Sequence, residues 1–455
     1  MMTRSEQLAA FAGGVSYKTL SDNAVRQLKI RLLDSLGCAF GALSAPMIRA
    51  LSEHTGEFSP QGPCTLIGGG SAAPDRAAFF NGALVRYLDF NDSYMAAREY
   101  AHPSDNIGAV LAAAEYRQRS GRDFLTAMAL AYQVQLRLAD EAAVLARGFD
   151  HTVQGTYAVA CGVSKALGLT DLQTTNAIGM AGTSFNSLRV TRTGTLSNWK
   201  GLAYANTAFG CTHAALLAMR GITGPIEVFE GNKGFIETIA GPFTLDWSAE
   251  NLESVTRTSL KRYNGTIDSQ SSIDAMLKLR ERHAIDASRI ERIDVEIFKL
   301  AYNVIGGGEE GDKYIVKTKE QADHSLRYMI ACACLDGQMM PEQYTLERIH
   351  RDDVQSLLKK VQIRPNEEYT RQFPEKCLVK IEVVYTDGSN YSIENPHYAG
   401  YYTNPMQWDD VVGKFLRLAA YLPAGHSDRI IDVIDTLDSR PIADLTELLG
   451  NACPA

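Results

Sequence analysis

Between Leu88 and Asn106 the chain reads LDFNDSYMAAREYAHPSDN, which places four acidic residues, an aromatic that looks exposed and a His102-Pro103 turn directly behind an apolar helical run. The spacing puts Asp89 and Asp92 three apart and Ser93 four from Asp89, so all three would share one face of a helix ending near Tyr94. Like charges on one face work against a helix, and a site is one reason to tolerate them. The alternative is a solvated helix end, with Asp92 at the surface and Ser104 or Asp105 capping the next helix.

Two cationic stretches raise the same question. LSNWKGLAYAN sets Lys200 between a Trp and a run of small residues, where it is covered only if it points into a cleft; otherwise it is an ordinary solvated lysine. LKRYNG places Lys261, Arg262 and Tyr263 where the sequence texture changes, and domain junctions favour ligand sites, although an exposed loop charge fits Lys261 equally well. In ADHSLRYM, His324 and Tyr328 stand four apart and would share a helical face, the His serving either chemistry or a hydrogen-bonded core or cap position.

The elements that must position these groups fall into two textures. From Ser21 to about Thr223 the pattern is helical almost throughout, beginning with a Ser/Asp cap signal and apolar residues at three and four (Val25, Leu28, Leu32, Leu33, Leu36). Many of these helices are rich in Ala and Gly, so they can pack closely. After about Thr266, IERIDVEIFKLAY and CLVKIEVVYTDGSNYSIEN alternate like strands, with Asp387-Gly388 as a hairpin turn. Helical TKEQADHSLRYMIACACLDGQ and DDVQSLLKKV lie between them, and amphipathic helices return after Asn404. The expected fold is a mainly α-helical large domain (1–265 and 404–455) carrying an inserted smaller α+β domain (266–403). Glycine-rich LIGGGSAAP lacks both the Lys-Ser/Thr of a phosphate loop and the third spaced glycine of a dinucleotide fingerprint, and reads as a tight turn into a helix.

Composition removes several function classes. With 455 residues, 45 Lys plus Arg against 53 Asp plus Glu and a net charge of −8, the chain has no global basic field for nucleic acid. The opening MMTRSEQLAAFAGGVSYKTL has no apolar secretory segment, and no window approaches the roughly 18 apolar residues of a membrane span, so a soluble cytoplasmic protein is expected. Eight scattered cysteines give neither a disulfide framework nor a zinc or iron–sulfur spacing; Cys332 and Cys334 sit in an apolar helical run as small buried thiols.

Taken in order, NGALVRYLDFNDS…HPSDN, WKGLAYAN…FEGNKGF, KRYN, TKEQADHSLRYMIACACLDG and NPMQWDDVVGKF give a chain that resembles the MmgE/PrpD family over nearly its whole length. That family includes 2-methylcitrate dehydratase, cis-aconitate decarboxylase and iminodisuccinate epimerase. The resemblance implies a discontinuous helical domain, an inserted lid, a homodimer, and a site in the cleft between domains that needs neither metal nor cofactor. It implies that Asp89, His102, Lys200, Lys261 and Tyr328 line that site, with Ser93 where relatives often have Thr. Arg262 and His324 are expected beside the substrate.

The shared chemistry is proton transfer at carbon next to a carboxylate, which needs a positioned base and cations for the enolate-like charge. The expectation is that His102, oriented by Asp89, is the base or acid, that Lys200 and Lys261 hold carboxylates, and that Tyr328 carries a proton to or from a leaving hydroxyl. The length of FNDSYMAAREYAHPSDN is similar to that of methylcitrate dehydratases, which points to loss of water from 2-methylcitrate or a related hydroxy-tricarboxylate. One departure stands out: GTIDSQSS puts Asp268 where relatives carry a His, which changes the local charge toward an anionic substrate. Epimerisation or decarboxylation of a small carboxylate, and a drifted binding protein, are the competing expectations.

Overall fold

The computed structural model describes residues 2–452. The chain forms two compact units: Met1–Thr191, Gly201–Thr258 and Gln407–Ala455 make the first, and Arg192–Lys200 with Ser259–Met406 the second. The structure is mainly helical, with small sheets. The texture change expected at 265/266 falls at Thr258/Ser259, and the return expected at 403/404 falls at Met406/Gln407. Entry and exit are tied together inside the second unit, where Leu260 N donates to Gly400 O (2.8 Å) and Tyr402 N to Ser259 Oγ (3.0 Å). Arg192–Lys200 also groups with the second unit, which helical periodicity gave no reason to expect.

In the first unit, Ser21 caps the helix Asp22–Ala42 by accepting from Ala24 N at 3.0 Å. This helix is buried on all sides from Leu28 to Phe40, so Arg31 and Asp34 lie out of water within it. The glycine run turns the chain between β1 (Cys64–Thr65) and β2 (Ser71–Ala72), with Gly68, Gly69 and Gly70 at φ +91, +123 and +88°. Pro74 then opens the helix Pro74–Tyr87. That helix crosses Ile107–Tyr116 backbone to backbone, since a Cβ at Gly108 would stand 2.5 Å from Gly82 N.

The segment after Tyr87 corrects the sequence reading. Leu88 is the C-cap, and Asp89 takes φ +53°, so the helix stops there and Asp89, Asp92 and Ser93 do not share a helical face. An antiparallel pair follows, β3 (Tyr94–Met95) and β4 (Tyr100–Ala101), then a 3₁₀ turn Pro103–Asn106 into the helix Ile107–Tyr116. All four acidic residues of the stretch are buried, at 3% exposure or less, and so is Tyr94. A solvated helix end is therefore excluded, and the helix Ile107–Tyr116 has Asn106 as its N-cap residue, with no side-chain cap hydrogen bond from it.

The second unit holds a four-stranded sheet in the order β6-β5-β7-β8, from β5 (Ile290–Ile297), β6 (Val361–Pro365), β7 (Val379–Tyr385) and β8 (Asn390–Asn395). β5 pairs β6 in parallel and β7 antiparallel, and β7 and β8 form the hairpin expected around Asp387-Gly388, with Gly388 at φ +84°. β5 stops at Ile297 instead of running on to Tyr302, because Phe298 caps a short helical turn Lys299–Ala301. The helical face expected to carry His324 and Tyr328 is broken as well. Lys319–Ala322 ends before Asp323, and Ser325 starts a new helix, Leu326–Asp336, by accepting from Tyr328 N at 3.3 Å.

The helices Trp408–Leu418, His426–Asp435 and Ile442–Gly450 belong to the first unit. Among the described residues no helix is long and apolar enough to cross a membrane, and the seven described cysteines are buried thiols outside any disulfide.

Candidate active site

The β3/β4 hairpin is a positioning device. Its register pairs Tyr94 with Ala101 and Met95 with Tyr100, so one step further out Ser93 stands opposite His102. Ser93 Oγ lies 2.8 Å from His102 Nδ1, and the Asp92 carbonyl oxygen lies 2.9 Å from the same nitrogen. A carbonyl can only accept, so Nδ1 carries a proton, and in its neutral form the ring has its lone pair on Nε2. The fold has thus chosen a tautomer that leaves Nε2 as the basic atom. His102 keeps 9% of its surface, against 0–1% for Asp92, Ser93, Ser104 and Asp105 around it.

Buried side chains brace this loop. Asp92 accepts from Ser104 N (3.0 Å) through one oxygen and from the Tyr132 hydroxyl (2.8 Å) through the other. Asn91 Nδ2 donates to Ser104 Oγ and to Asp105 Oδ1, both at 2.8 Å. Burial pushes the Asp92 carboxyl above its usual range, opposed by those hydrogen bonds and by the Arg31 charge. Burial, and then the charge of Asp92, pushes the Tyr132 phenol well up. Asp89 is engaged by Arg86 Nη1 at 2.6 Å, and Asp92 and Ser93 supply contacts to His102 at Nδ1. Glu99, fully buried, ties the hairpin tip down by accepting from Val144 N (2.8 Å), Leu145 N (3.0 Å) and Gln154 Nε2 (3.2 Å).

His151 joins this set although sequence reasoning passed over it. Its ring meets that of His102 edge-on, with centroids 5.1 Å apart, and its Nδ1 lies 3.2 Å from Asp150 Oδ1. The available signal was GFDHTVQG, an Asp-His pair at the mouth of an apolar helix, Thr152–Leu167.

The second unit carries the other candidates. Lys200 is buried, so the solvated-lysine reading fails, and its Nζ lies 2.7 Å from Asp323 Oδ1. Lys319 Nζ (2.9 Å) and His324 Nδ1 (2.8 Å) also meet the Asp323 carboxylate, which has no exposure. Burial alone would raise Asp323, but Lys200, Lys319 and His324 overcome it and hold the carboxyl well below the usual range.

Lys261 is fully buried, which removes the exposed-loop reading, while its neighbour Arg262 is exposed. Arg262 lines a different hollow of about 840 Å³ with Tyr263, Asp274, Lys278 and Asn395, and none of Lys200, Lys261 or His324 borders it. Asp268 is buried on the 3₁₀ turn Ile267–Ser269 ahead of the helix Gln270–His283. The Tyr328 hydroxyl donates to the Gln343 carbonyl, and burial pushes that phenol far up.

Chemically, the first unit offers an imidazole base with a fixed tautomer, and the second a lysine-rich cluster around one carboxylate. A family model described as MmgE/PrpD N-terminal domain matches residues 6–248, and one described as MmgE/PrpD C-terminal domain matches residues 263–439. The chain is 27% identical to a 2-methylcitrate dehydratase of Salmonella typhimurium over 95% of both chains. It is 26% identical to a cis-aconitate decarboxylase of Mus musculus over 99% of this chain and 94% of that one. An alkylcitrate dehydratase of a fungal species is 28% identical over 97% of this chain and 93% of its own length.

Proposed function

The chain belongs to the MmgE/PrpD family, and on that premise we propose that it is a hydro-lyase eliminating water from 2-methylcitrate or a related hydroxy-tricarboxylate. The observation that carries the reading is the contact at His102 Nδ1: with Nδ1–H held by the Asp92 carbonyl, Nε2 is the ring nitrogen assigned to take a proton from carbon next to a carboxylate. The carbon electron pair becomes the new double bond, and the hydroxyl on the adjacent carbon leaves with a proton as water. Lys200 and Lys261 hold substrate carboxylates and spread the charge that develops on them. The proton-delivery role expected of Tyr328 would require its hydroxyl to release the Gln343 carbonyl. Proton transfer and charge stabilisation are assigned here to side chains alone. A cytoplasmic homodimer in which the inserted α+β part acts as a lid, as the resemblance implies, completes the proposal.

The test is ultraviolet absorbance of a newly formed conjugated carboxylate, with purified protein and 2-methylcitrate, then citrate and other hydroxy acids. A rise that His102→Ala abolishes while folding and substrate binding persist is the expected result; near-normal turnover in that variant would sink the assignment. Decarboxylation on the same scaffold is the second reading, favoured by the relatives of that name, and it is read as released carbon dioxide from an unsaturated tricarboxylate.

A further inference from the structure

Lys414 lies on the helix Trp408–Leu418, three residues after Val411 and four before Leu418, which places its charged side chain on the apolar face of that helix. It is buried there, and its Nζ makes close contacts within the first unit. It donates to the Phe90 carbonyl at 2.7 Å, lies 2.7 Å from Asp34 Oδ1, and stands 3.7 Å from the centre of the Phe90 ring. A point charge on a flexible stem reaches a carbonyl, a carboxylate and a ring face together, whereas a purely packing role asks only for an apolar side chain.

The carbonyl it holds is two residues from the one that fixes the His102 tautomer. Between them, Asn91 is anchored to Ser104 and Asp105, and Asp92 to Ser104 and Tyr132. The segment from Phe90 to Asp92 is therefore clamped by the 3₁₀ turn Pro103–Asn106 and by the helix Gly121–Glu141. The remaining end, just after the left-handed Asp89, is clamped by Lys414.

We propose that Lys414, anchored by Asp34, is a positioning residue that holds the Phe90–Asp92 backbone so that the Asp92 carbonyl keeps the proton on His102 Nδ1. The inference rests on His102 as the proton-transfer group, and it assigns the helix after the second unit a part in the chemistry. Loss of the tether lets the Asp92 carbonyl drift, and the imidazole then samples both tautomers. Misplacement of a reacting group by about 1 Å can cost on the order of a hundredfold in rate, so a fall in kcat of about tenfold to a hundredfold is expected, with KM within about twofold.

The experiment compares wild type, Lys414→Met and the double variant Asp34→Asn/Lys414→Met, the last of which removes the carboxylate that Met would strand. Imidazole ¹⁵N and ring N–H proton spectra of histidine-labelled protein are recorded without substrate, the His102 signals being assigned by their loss in His102→Gln. Wild type should show one Nδ1–H tautomer with slow proton exchange, and the folded variants a tautomer mixture with faster exchange, together with the kcat fall. An unchanged His102 signature in either folded variant overturns the proposal. If neither variant folds, Lys414 is a folding residue and the proposal is rejected. Because the spectra need no substrate, a protein inactive on every hydroxy acid but with the expected spectral change would reject the lyase reading and leave this one standing.

Discussion

Replacing Lys200 by Met should destabilise the second unit by about 2 to 3 kcal/mol. Breaking a buried ion pair by deleting one partner typically costs about 3 to 5 kcal/mol, because the remaining charge is left without compensation. Here the pair is close, 2.7 Å, and nearly dry, with 4% and 0% side-chain exposure. Asp323 keeps two other partners, Lys319 at 2.9 Å and His324 at 2.8 Å, and this brings the expectation below the usual range. Asp323→Asn leaves two lysines with a neutral neighbour, and the double variant should cost less than the sum of the single ones by about 1 to 3 kcal/mol.

The assay is native-state hydrogen exchange of amides in Leu326–Asp336 as a function of urea, which reports this unit without assuming that the whole chain unfolds at once. The pH dependence has a definite sign. Asp323 is held below its unfolded value, so its contribution is complete above the unfolded aspartate pKa of about 3.9 and is lost as pH falls below it. In that acid range wild type should lose about 1.4 kcal/mol per pH unit from this residue, a slope that Asp323→Asn lacks. A Lys200→Met protein within about 0.5 kcal/mol of wild type, with no coupling to Asp323, would refute the reasoning.

Three other substitutions probe the first unit and the family departure. Tyr132→Phe removes the hydroxyl that donates to buried Asp92 and should cost about 1 to 3 kcal/mol in urea unfolding, the range for stranding a buried acceptor; a loss under about 0.5 kcal/mol would mean that Asp92 does not depend on this donor. Ser93→Ala deletes a contact on His102 Nδ1 and leaves the Asp92 carbonyl, so kcat should fall less than in His102→Ala, with the Nδ1–H signal retained. Asp268→His should alter relative rates across a panel of di- and tricarboxylates more than it alters stability, and unchanged relative rates would count against a part for Asp268 in substrate choice.

The helical texture before Thr223, the alternation of β5 and β7 and the Asp387-Gly388 hairpin were legible because each rests on local periodicity or turn chemistry. The stops were not. One left-handed residue at Asp89 ends a helix, and the capping serine Ser325 starts a second helix after the first has stopped at Ala322, and periodicity cannot register a single dihedral or cap. The same limit explains why Asp89 and Asp92 were placed on one helical face and why His324 and Tyr328 were paired. Chemistry-bearing types were visible in His102 and Lys200. Their partners were hidden because Asp323 and Lys319 lie far along the chain from Lys200, while Asp92 acts on His102 through its backbone carbonyl, which every residue has. His151 and Lys414 went unnoticed for a related reason: the ring of His102 that His151 meets and the Phe90 carbonyl that Lys414 holds are distant in sequence.

The hairpin that joins Ser93 to His102 closes through four residues, Ala96 to Glu99, with Ala96 N donating to Glu99 O at 3.0 Å. Side chains in a ladder alternate sides, so a slip of the pairing by one residue would turn the imidazole to the opposite face. The exposed tip residues Ala97 and Arg98 can therefore drift in composition, whereas a single-residue change in length keeps the base in place only where the loop or a bulge absorbs it. The two-residue tip thus sets the parity on which the orientation of His102 depends.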